Sequence, residues 1–487
     1  MLLNHLLSCL LVLPVFGIGA LCFIRDREMV NRVALVSTLL TLGLSVIICG
    51  QFDFAKAGVQ FVERFELMPT LKVQYALGVD GISLIMVILT ALLTPIAVLF
   101  SWNTIKVNPR VFMILILLLE TATLGVFISL NLVLFYVFWE LTMVCVYFLM
   151  MGWGGPGRSA AGLKFILYSI GGGLILLLAI LGLYVQGGQT FDLVKLSDYT
   201  FNTSTQYWLF LAFFLAFAIK VPMIPLHAWL PGAYAESPTA GSVILAGALS
   251  KMGAYGLLRV CLPLFPEASI YFAPFILWLS IAAIIYGGFM ALAQSDLKKL
   301  VAYSSVSHMG FVTLGIFVFN SQGIQGAVLQ MFNHGITTAA LFICVGQLYD
   351  RTHSRAISDY GGLHKPMPRF VAMFFLFSVA AFGLPGTCSF IGEFLVLVGT
   401  SYVSFAMVFI SMGGIILAAA YMLWMLQRVV LGEASTEAAK VLPDISNREL
   451  ATLIPLAILV FCIGLYPGPL LDMMDASVTH LIESSVN

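Results

Sequence analysis

The stretch Phe210–Ser250 reads FLAFFLAFAIKVPMIPLHAWLPGAYAESPTAGSVILAGALS and decides the fold. It opens with an apolar run that reaches Lys220 and then meets Pro222 and Pro225. Proline lacks a backbone N–H donor and clashes with the preceding helical turn, so two prolines within four residues predict a broken helix. A lysine about 20 Å into a membrane-spanning helix is energetically expensive, which favours a functional role for Lys220.

Beyond the break, the same stretch predicts further helix. The helix is expected to resume over residues 226–230 and to end at Pro231 and Gly232. A second apolar helix comes next and carries Lys251. The stretch therefore predicts two neighbouring helices with one buried ammonium group each.

The composition indicates a membrane protein. Of the 487 residues, 61% are hydrophobic and only 9% are charged, and the mean hydropathy is +1.03. A soluble chain has roughly 25% charged residues. The net charge is zero, which leaves no basic surface for nucleic acid. We therefore predict an all-α polytopic membrane protein.

Apolar runs of sufficient length predict about 14 transmembrane helices. They lie at 2–24, 31–52, 80–102, 111–129, 132–151, 163–186, 207–231, 241–262, 272–294, 298–320, 324–350, 369–399, 402–431 and 450–471. Gly383, Pro385 and Gly386 break helix 12, and Glu393 follows that break. Helices 7 and 12 are five apart and enter from opposite sides, so their breaks predict two inverted five-helix repeats.

These positions divide the chain into four regions. Residues 1–110 hold three N-terminal helices, 111–262 the first five-helix repeat, 272–431 the second, inverted repeat, and 432–487 the last helix with an interfacial tail. The longer loops, such as 53–79, are expected to be surface connections. Sixteen Lys and Arg residues follow odd-numbered helices, against five on the opposite side. The positive-inside rule then places both termini outside.

Five ionisable residues fall inside the predicted spans, namely Glu120, Glu140, Lys220, Lys251 and Glu393. Burial favours the neutral form of such groups, whereas a nearby opposite charge favours the charged form. A Glu–Lys pair whose separation changes would therefore take up and release a proton. The alternative is a static ion pair that locks two helices together. Five buried groups beside two broken helices favour proton transfer.

Three histidines lie at or near membrane depth. A neutral imidazole donates and accepts hydrogen bonds, so His308 and His334, which have polar neighbours, are candidates to relay protons between lysine and carboxylate. A histidine bonded to a backbone carbonyl is the structural alternative, and it is favoured for His227, which lies close to a helix end.

Other common kinds of site have no signature in the sequence. There is no G-x-x-x-x-G-K-[ST] phosphate loop to bind ATP. The eight cysteines lie in apolar stretches without a C-x-x-C pair, which argues against a metal or cluster site. We expect no cofactor and no metal in this chain, so any redox centre that it serves would lie in other chains.

Together the motifs resemble the proton-translocating antiporter-like subunits of respiratory complex I and of multisubunit cation/proton antiporters. The similarity rests on FWEL at 138–141, FAIKVPMIPLHAWLP at 217–231, ESPTAGS at 236–242, SKMGAYGLLR at 250–259, and LPG at 384–386 followed by GEF at 392–394. It covers most of the chain, from helix 3 to helix 13. It implies a fold of 14 helices with two inverted five-helix bundles.

The resemblance also implies roles for individual residues. The implied proton path consists of Glu140 and Lys220 as the input pair, Lys251 as the central carrier, His308 and His334 along the connection, and Glu393 as the outlet. Accessory positions are Glu120 and His227, and the helix breaks are Pro222, Pro225 and Pro385. A glutamate at the outlet is typical of the M-type members within complex I. Tyr234 stands where many relatives have histidine, and its phenol can hydrogen-bond but cannot carry a positive charge.

The function implied is proton translocation by a membrane subunit of a bacterial NADH:quinone oxidoreductase in the inner membrane, driven by quinone reduction elsewhere. FMN, iron–sulfur clusters and quinone would be held by partner subunits. The partners implied are L-type and N-type antiporter-like neighbours, other membrane-arm and peripheral-arm subunits, and lipids. Two alternatives stay open. One is a subunit of a multisubunit sodium/proton antiporter, and the other is an assembly scaffold whose buried charges fix helix packing.

Overall fold

The computed structural model describes residues 5–434 and 440–486, and within them the chain is mostly helical. The helices, in chain order, are α1 (Leu6–Phe23), α2 (Arg27–Gln51), α3 (Gly81–Thr104), α4 (Pro109–Ile128), α5 (Leu132–Trp153), α6 (Arg158–Gln186), α7 (Leu193–Ser197), α8 (Thr203–Lys220), α9 (Leu230–Glu236), α10 (Thr239–Leu264), α11 (Pro266–Leu292), α12 (Leu297–Ile316), α13 (Ser321–Thr352), α14 (Pro368–Ala381), α15 (Cys388–Ser401), α16 (Phe405–Val430), α17 (Asn447–Leu465) and α18 (Gly468–Val486). Two antiparallel strands, β1 (Gln60–Met68) and β2 (Val73–Val79), form a hairpin.

Eleven of the described helices are long and apolar enough to cross a membrane, judged by length and composition. They are α1 to α6, α10, α11, α13, α16 and α17. The other three predicted spans coincide with α8 plus α9, with α12, and with α14 plus α15. The prediction of a helical, polytopic membrane protein is therefore confirmed.

Helix α8 ends at Lys220, and residues 221–229 form turns before α9 begins at Leu230. Pro222 and Pro225 both lie in these turns. The expectation that a helix resumes over 226–230 and ends at Pro231 is wrong, because Pro231 lies in the first turn of α9. That position leaves N–H groups without helical partners, so a proline there removes no hydrogen bond.

A second interruption separates α14 from α15. The connection of six residues between them contains Pro385 flanked by two glycines in left-handed conformations, Gly383 with φ of 76° and Gly386 with φ of 92°. Residues that carry a side chain rarely adopt such φ angles, so glycine is required at both turns. The two helices have 14 residues each, and the predicted span 369–399 overlaps both.

The loop 53–79 is more than a surface connection, because it contains the β1–β2 hairpin. The hairpin is anchored by Glu63, which is buried and accepts hydrogen bonds from the backbone N–H of Leu7 at 2.8 Å and from the Ser8 side chain. Hydropathy windows suited to membrane spans do not detect strands of this length. We call the end of the bundle that carries the hairpin and the start of α3 the hairpin end.

Helix α13 forms the centre of the packing, and the window of α13 tested for membrane crossing is wholly buried. It packs against α12 and α15 along its sides and also contacts α3 and α10. The C-terminal tail forms α18, which packs against α3 and α13 rather than standing free. The polar residues in this buried part of α13, such as Gln330, Asn333 and His334, therefore face protein, not lipid.

Candidate functional site

Four of the predicted site residues meet in the buried centre of the bundle. Lys251 Nζ lies 2.7 Å from His334 Nδ1, and His308 Nδ1 lies 2.6 Å from Glu393 Oε1. The rings of the two histidines are 5.8 Å apart between centroids. All four side chains are almost fully buried. We call these four residues the central line.

The local structure of α10 explains how Lys251 is held. The turn Leu245–Leu249 is a wider, π-helical turn, and such turns occur frequently at functional sites. Lys251 Nζ donates to the Ala246 carbonyl at 2.5 Å and to Ser250 Oγ at 3.2 Å. With His334 Nδ1 as a third acceptor, the ammonium has all of its donors matched.

The protonation states of Lys251 and Glu393 determine the ring protons of the two histidines. When Lys251 is an ammonium, it only donates, so His334 Nδ1 accepts and the proton of a neutral His334 is on Nε2, which is buried without a partner within the described residues. When Glu393 is a carboxylate, it only accepts, so His308 Nδ1 donates to it. In that state the two neutral rings differ in tautomer, and passage of a proton along the line would interchange them.

Sequence reasoning missed two residues that contact the outlet end of the line. Gln330 Nε2 donates to Glu393 Oε1 at 2.8 Å, and the Tyr421 hydroxyl lies 3.3 Å from His308 Nε2. Gln330 is four residues, about one helical turn, before His334 on α13, so the spacing could have indicated that both side chains lie on the same face. Tyr421 had none, because it is one of many aromatic residues in an apolar helix.

Glu140 and Lys220 face one small gap between α5, α6 and α8. No ion pair joins them within 4.0 Å. Lys220 Nζ instead lies 5.2 Å from the centre of the Trp139 ring and 3.4 Å from Thr142 Oγ1. The gap measures about 10 Å³, close to the room that one water molecule needs. The predicted input residues are thus neighbours without direct contact.

The Glu140 carboxylate lies against α6 at Gly173, where any added side chain would displace it. A Cβ added to Gly173 would lie 2.0 Å from Glu140 Oε1. Oε1 itself is buried and has no hydrogen-bond partner among the described residues. Gly173 therefore helps to set where this carboxylate lies.

The accessory residues are separate from the central line. Glu120 on α4 is fully buried, and neither carboxylate oxygen has a partner within the described residues. His227 lies in the turns after α8, with its ring 5.1 Å from that of Tyr286. Its buried Nδ1 has no hydrogen-bond partner in the described part of the chain. The hydrogen bond to a backbone carbonyl, expected if His227 were purely structural, is therefore not formed through Nδ1.

A charged network occupies the end of the bundle opposite the hairpin. Arg355 pairs with Glu236 at 2.8 Å and with Asp296 at 3.2 Å, and Lys298 Nζ donates to the Ser237 carbonyl at 2.9 Å. Burial opposes the charge of Arg355, but the hydrogen bond to Glu236 and the charge of Asp296 outweigh burial and raise its pKa. The sequence marked Arg355 and Lys298 only as loop charges.

Within the described residues, no group of three or more His, Cys, Asp or Glu side chains is arranged to hold a metal ion. The eight cysteines are all free. What the site offers is a line of buried groups that can each gain or lose a proton.

Comparison with protein-family models matches residues 9–126 to the amino terminus of NADH-ubiquinone oxidoreductase chain 4. Residues 129–419 match the transmembrane model shared by NADH:quinone oxidoreductase and Mrp antiporters. The chain is 42% identical to NADH-quinone oxidoreductase subunit M of Rhodobacter capsulatus, over 99% of this chain and 97% of that protein. It is 44% identical to NADH-ubiquinone oxidoreductase chain 4 of Arabidopsis thaliana, over 98% and 97%.

Two solved structures are similar to this chain over nearly its whole length. A chain of respiratory complex I from Thermus thermophilus superposes with a TM-score of 0.90 at 30% identity, covering 98% of this chain and 99% of that one. A chain of the Mrp complex from Dietzia superposes with a TM-score of 0.88 at 20% identity, over the full length of both, which shows a shared fold.

Proposed function

Because the chain belongs to the family of NADH:quinone oxidoreductase subunit M, also named chain 4, we propose that its buried side chains carry protons across the membrane. As a member of this family, the chain is a proton-translocating membrane subunit of that enzyme. The observation that most supports the proposed route is the central line, in which an ammonium, two imidazoles and a carboxylate are joined by contacts of 2.6–2.7 Å and one ring-to-ring step.

The proposed cycle starts at Glu140 and Lys220. Quinone reduction in partner subunits changes their separation, and with it the balance between the charged and neutral forms of Lys220. The proton passes to Lys251, along the central line, and leaves at Glu393. Groups this close titrate together, so the line acts as one unit. No redox chemistry takes place in this chain; FMN, iron–sulfur clusters and quinone belong to the partner subunits.

The proposed topology has 14 membrane crossings, with the interrupted helices α8/α9 and α14/α15 as the seventh and twelfth. The crossings form two inverted five-helix repeats, over residues 111–262 and 272–431, after the three helices of 1–110 and before the last helix and tail of 432–487. The excess of basic residues on the connections after odd-numbered helices supports an inner location for the end opposite the hairpin. Both termini and the hairpin end then lie on the periplasmic side of a bacterial inner membrane.

The proposed neighbours are L-type and N-type antiporter-like subunits of the same membrane arm. The chain exposes many large apolar residues, and lipid and neighbouring subunits together would cover them.

Lys220→Ala tests the proposed function. We expect NADH-driven proton uptake by inverted membrane vesicles to be abolished or sharply reduced while the complex remains assembled, because the input loses its ammonium. Lys299→Ala is the matched control, since Lys299 is an exposed lysine on α12. Normal protons per NADH in an assembled Lys220→Ala complex would exclude Lys220 from the path.

A multisubunit sodium/proton antiporter is the second candidate, because the family model over residues 129–419 covers both kinds of protein. The match of residues 9–126 to chain 4 favours the oxidoreductase. The two candidates differ in their driving force. Sodium-dependent proton flux without NADH would support the antiporter, and its absence beside NADH-driven uptake would support the oxidoreductase.

A further inference from the structure

We propose that Lys251 has a second route to the periplasm, through a polar cavity at the hairpin end that the Asp80–Arg259 ion pair closes. This route is distinct from the lateral path to Glu393. It rests on the proposed function, since it presumes that Lys251 carries protons.

The cavity is about 280 Å³ in volume and lies between the start of the hairpin, α3, α7, the end of α10 and α18. The side chains that line it include Asp80, Asp198, Arg259 and His480. A cavity of this size with several polar groups holds water, because each water finds two or more hydrogen-bond partners. The hairpin end thus carries a hydrated pocket that leads inward.

One face of α10 connects this cavity to the central line. Lys251, Tyr255 and Arg259 follow one another at intervals of four residues and so lie roughly on the same face. The distance along the helix from Lys251 to Arg259 is about 12 Å. Tyr255 is buried and lines the cavity, and its hydroxyl donates to the Phe127 carbonyl at 2.9 Å. A phenol hydroxyl can accept one proton while it donates another. Lys251 Nζ is turned toward Ala246 and His334, so the proposed route has the lysine side chain swing toward Tyr255 to pass a proton to it.

The ion pair closes the inner part of the cavity. Arg259 Nη1 lies 2.8 Å from Asp80 Oδ2, while Asp80 Oδ1 accepts from the backbone N–H of Ser83 at the start of α3. Arg259 Nε is buried and has no partner within the described residues. An unmet buried donor is destabilising, so Nε requires a partner from outside the chain. Cavity water is the natural partner for Nε.

The backbone of α10 allows this pair to open. A second π-helical turn, Leu257–Cys261, contains Arg259. Such a turn holds one extra residue. A change between this wider turn and an ordinary α-helical turn would move the Arg259 side chain without unwinding the helix. Rearrangement there would separate Arg259 from Asp80 and widen the cavity, which Tyr255 already lines, toward Lys251.

The test labels the cavity from outside. Ser484 on α18 lines the cavity, whereas Thr479 on the same helix is exposed but does not line it. In the full complex, Ser484→Cys and Thr479→Cys are each treated from the periplasmic side with a charged, membrane-impermeant methanethiosulfonate. Protons moved per NADH are measured before and after labelling, and the extent of labelling is determined by mass. The unlabelled variant serves as its own folding control, and treated wild type controls for the native cysteines.

We expect labelled Ser484→Cys to lose protons per NADH and equally labelled Thr479→Cys to keep them. Asp80→Asn adds a second measurement, since asparagine preserves the cap of α3 but removes the charge that holds Arg259. We expect NADH oxidation in this variant to continue with fewer protons retained per NADH, because the outer gate stays open. An unchanged ratio in both labelled Ser484→Cys and Asp80→Asn would overturn the proposal.

The Lys220→Ala result separates this inference from the proposed function. If Lys220→Ala abolishes pumping while the cavity variants pump normally, only the second route is refuted. If Lys220→Ala also pumps normally, the proposed function itself fails.

Discussion

Replacing Gly173 by alanine tests whether the position of the Glu140 carboxylate governs proton uptake. The new Cβ would lie 2.0 Å from Glu140 Oε1 and 2.9 Å from its Cδ. To regain an ordinary contact, the carboxylate must retreat by roughly 1.4 Å. It is the end of a flexible side chain, so the fold accommodates the change, and alanine itself favours the helix by about 1 kcal/mol over glycine.

The displacement changes the electrostatics of the input. Opposite charges about 4 Å apart attract by about 4 kcal/mol at an effective dielectric constant of about 20, and a change of about 1.4 Å in their separation alters this by about 1 kcal/mol. That shifts the balance between charged and neutral forms by about fivefold. Since Glu140 and Lys220 lie beyond 4.0 Å already, this is an upper value. We expect Gly173→Ala to assemble normally but to move fewer protons per NADH.

The assay is NADH-driven proton uptake by inverted vesicles, with NADH oxidation and assembly of the complex measured on the same preparation. Gly171→Ala is the matched control, because a Cβ at Gly171 meets nothing within 4 Å. It makes the same exchange in the same helix without touching Glu140. Equal proton-to-NADH ratios in the two variants would refute the reasoning that ties pumping to the position of this carboxylate.

The contacts predict three further outcomes. Tyr421→Phe removes the hydroxyl beside His308 Nε2, and we expect a two- to fivefold lower pumping rate, corresponding to about 1 kcal/mol, in stopped-flow proton uptake. Glu120→Gln should pump within about twofold of wild type in the same assay, because neither oxygen contacts the central line. Arg355→Met leaves two carboxylates unpaired and should destabilise the complex by about 2 kcal/mol in thermal inactivation, whereas the exposed Lys299→Met should change little. Because the pKa of Arg355 is raised, the charge of its guanidinium contributes stability below the usual pKa range of arginine, and this contribution is lost as the pH rises above that range.

Much of the fold follows from hydropathy alone. The long apolar runs predicted the helices, and the proline pair at 222 and 225 lies in the turns where α8 ends. Pro231 was misassigned because a proline interrupts a helix interior but suits a first turn, and the two cases look alike in sequence. The hairpin at 60–79 escaped detection because short strands give a weak signal beside membrane spans.

The identity of the buried groups could be predicted, but their partners could not. An ionisable residue in an apolar run is visible locally, and this singled out Lys220, Lys251 and Glu393. Gln330 joined the outlet, and the Glu140 carboxylate came to lie against Gly173, only through packing. The sequence resemblance named Glu140 and Lys220 as a pair, and the structure shows them side by side without an ion pair.

The sequence by itself determined that this protein spans a membrane and which ionisable side chains lie within its apolar runs, because both depend on a window of about twenty residues. Only the tertiary structure decided that Lys251 meets His334 and that His308 meets Glu393, partners that are 83 and 85 residues apart in the chain. Helices that are apolar on nearly every side give little sign of which face turns inward. The rotation of each helix about its axis is set by packing against its neighbours, and that rotation brings the proton-exchanging groups into one line.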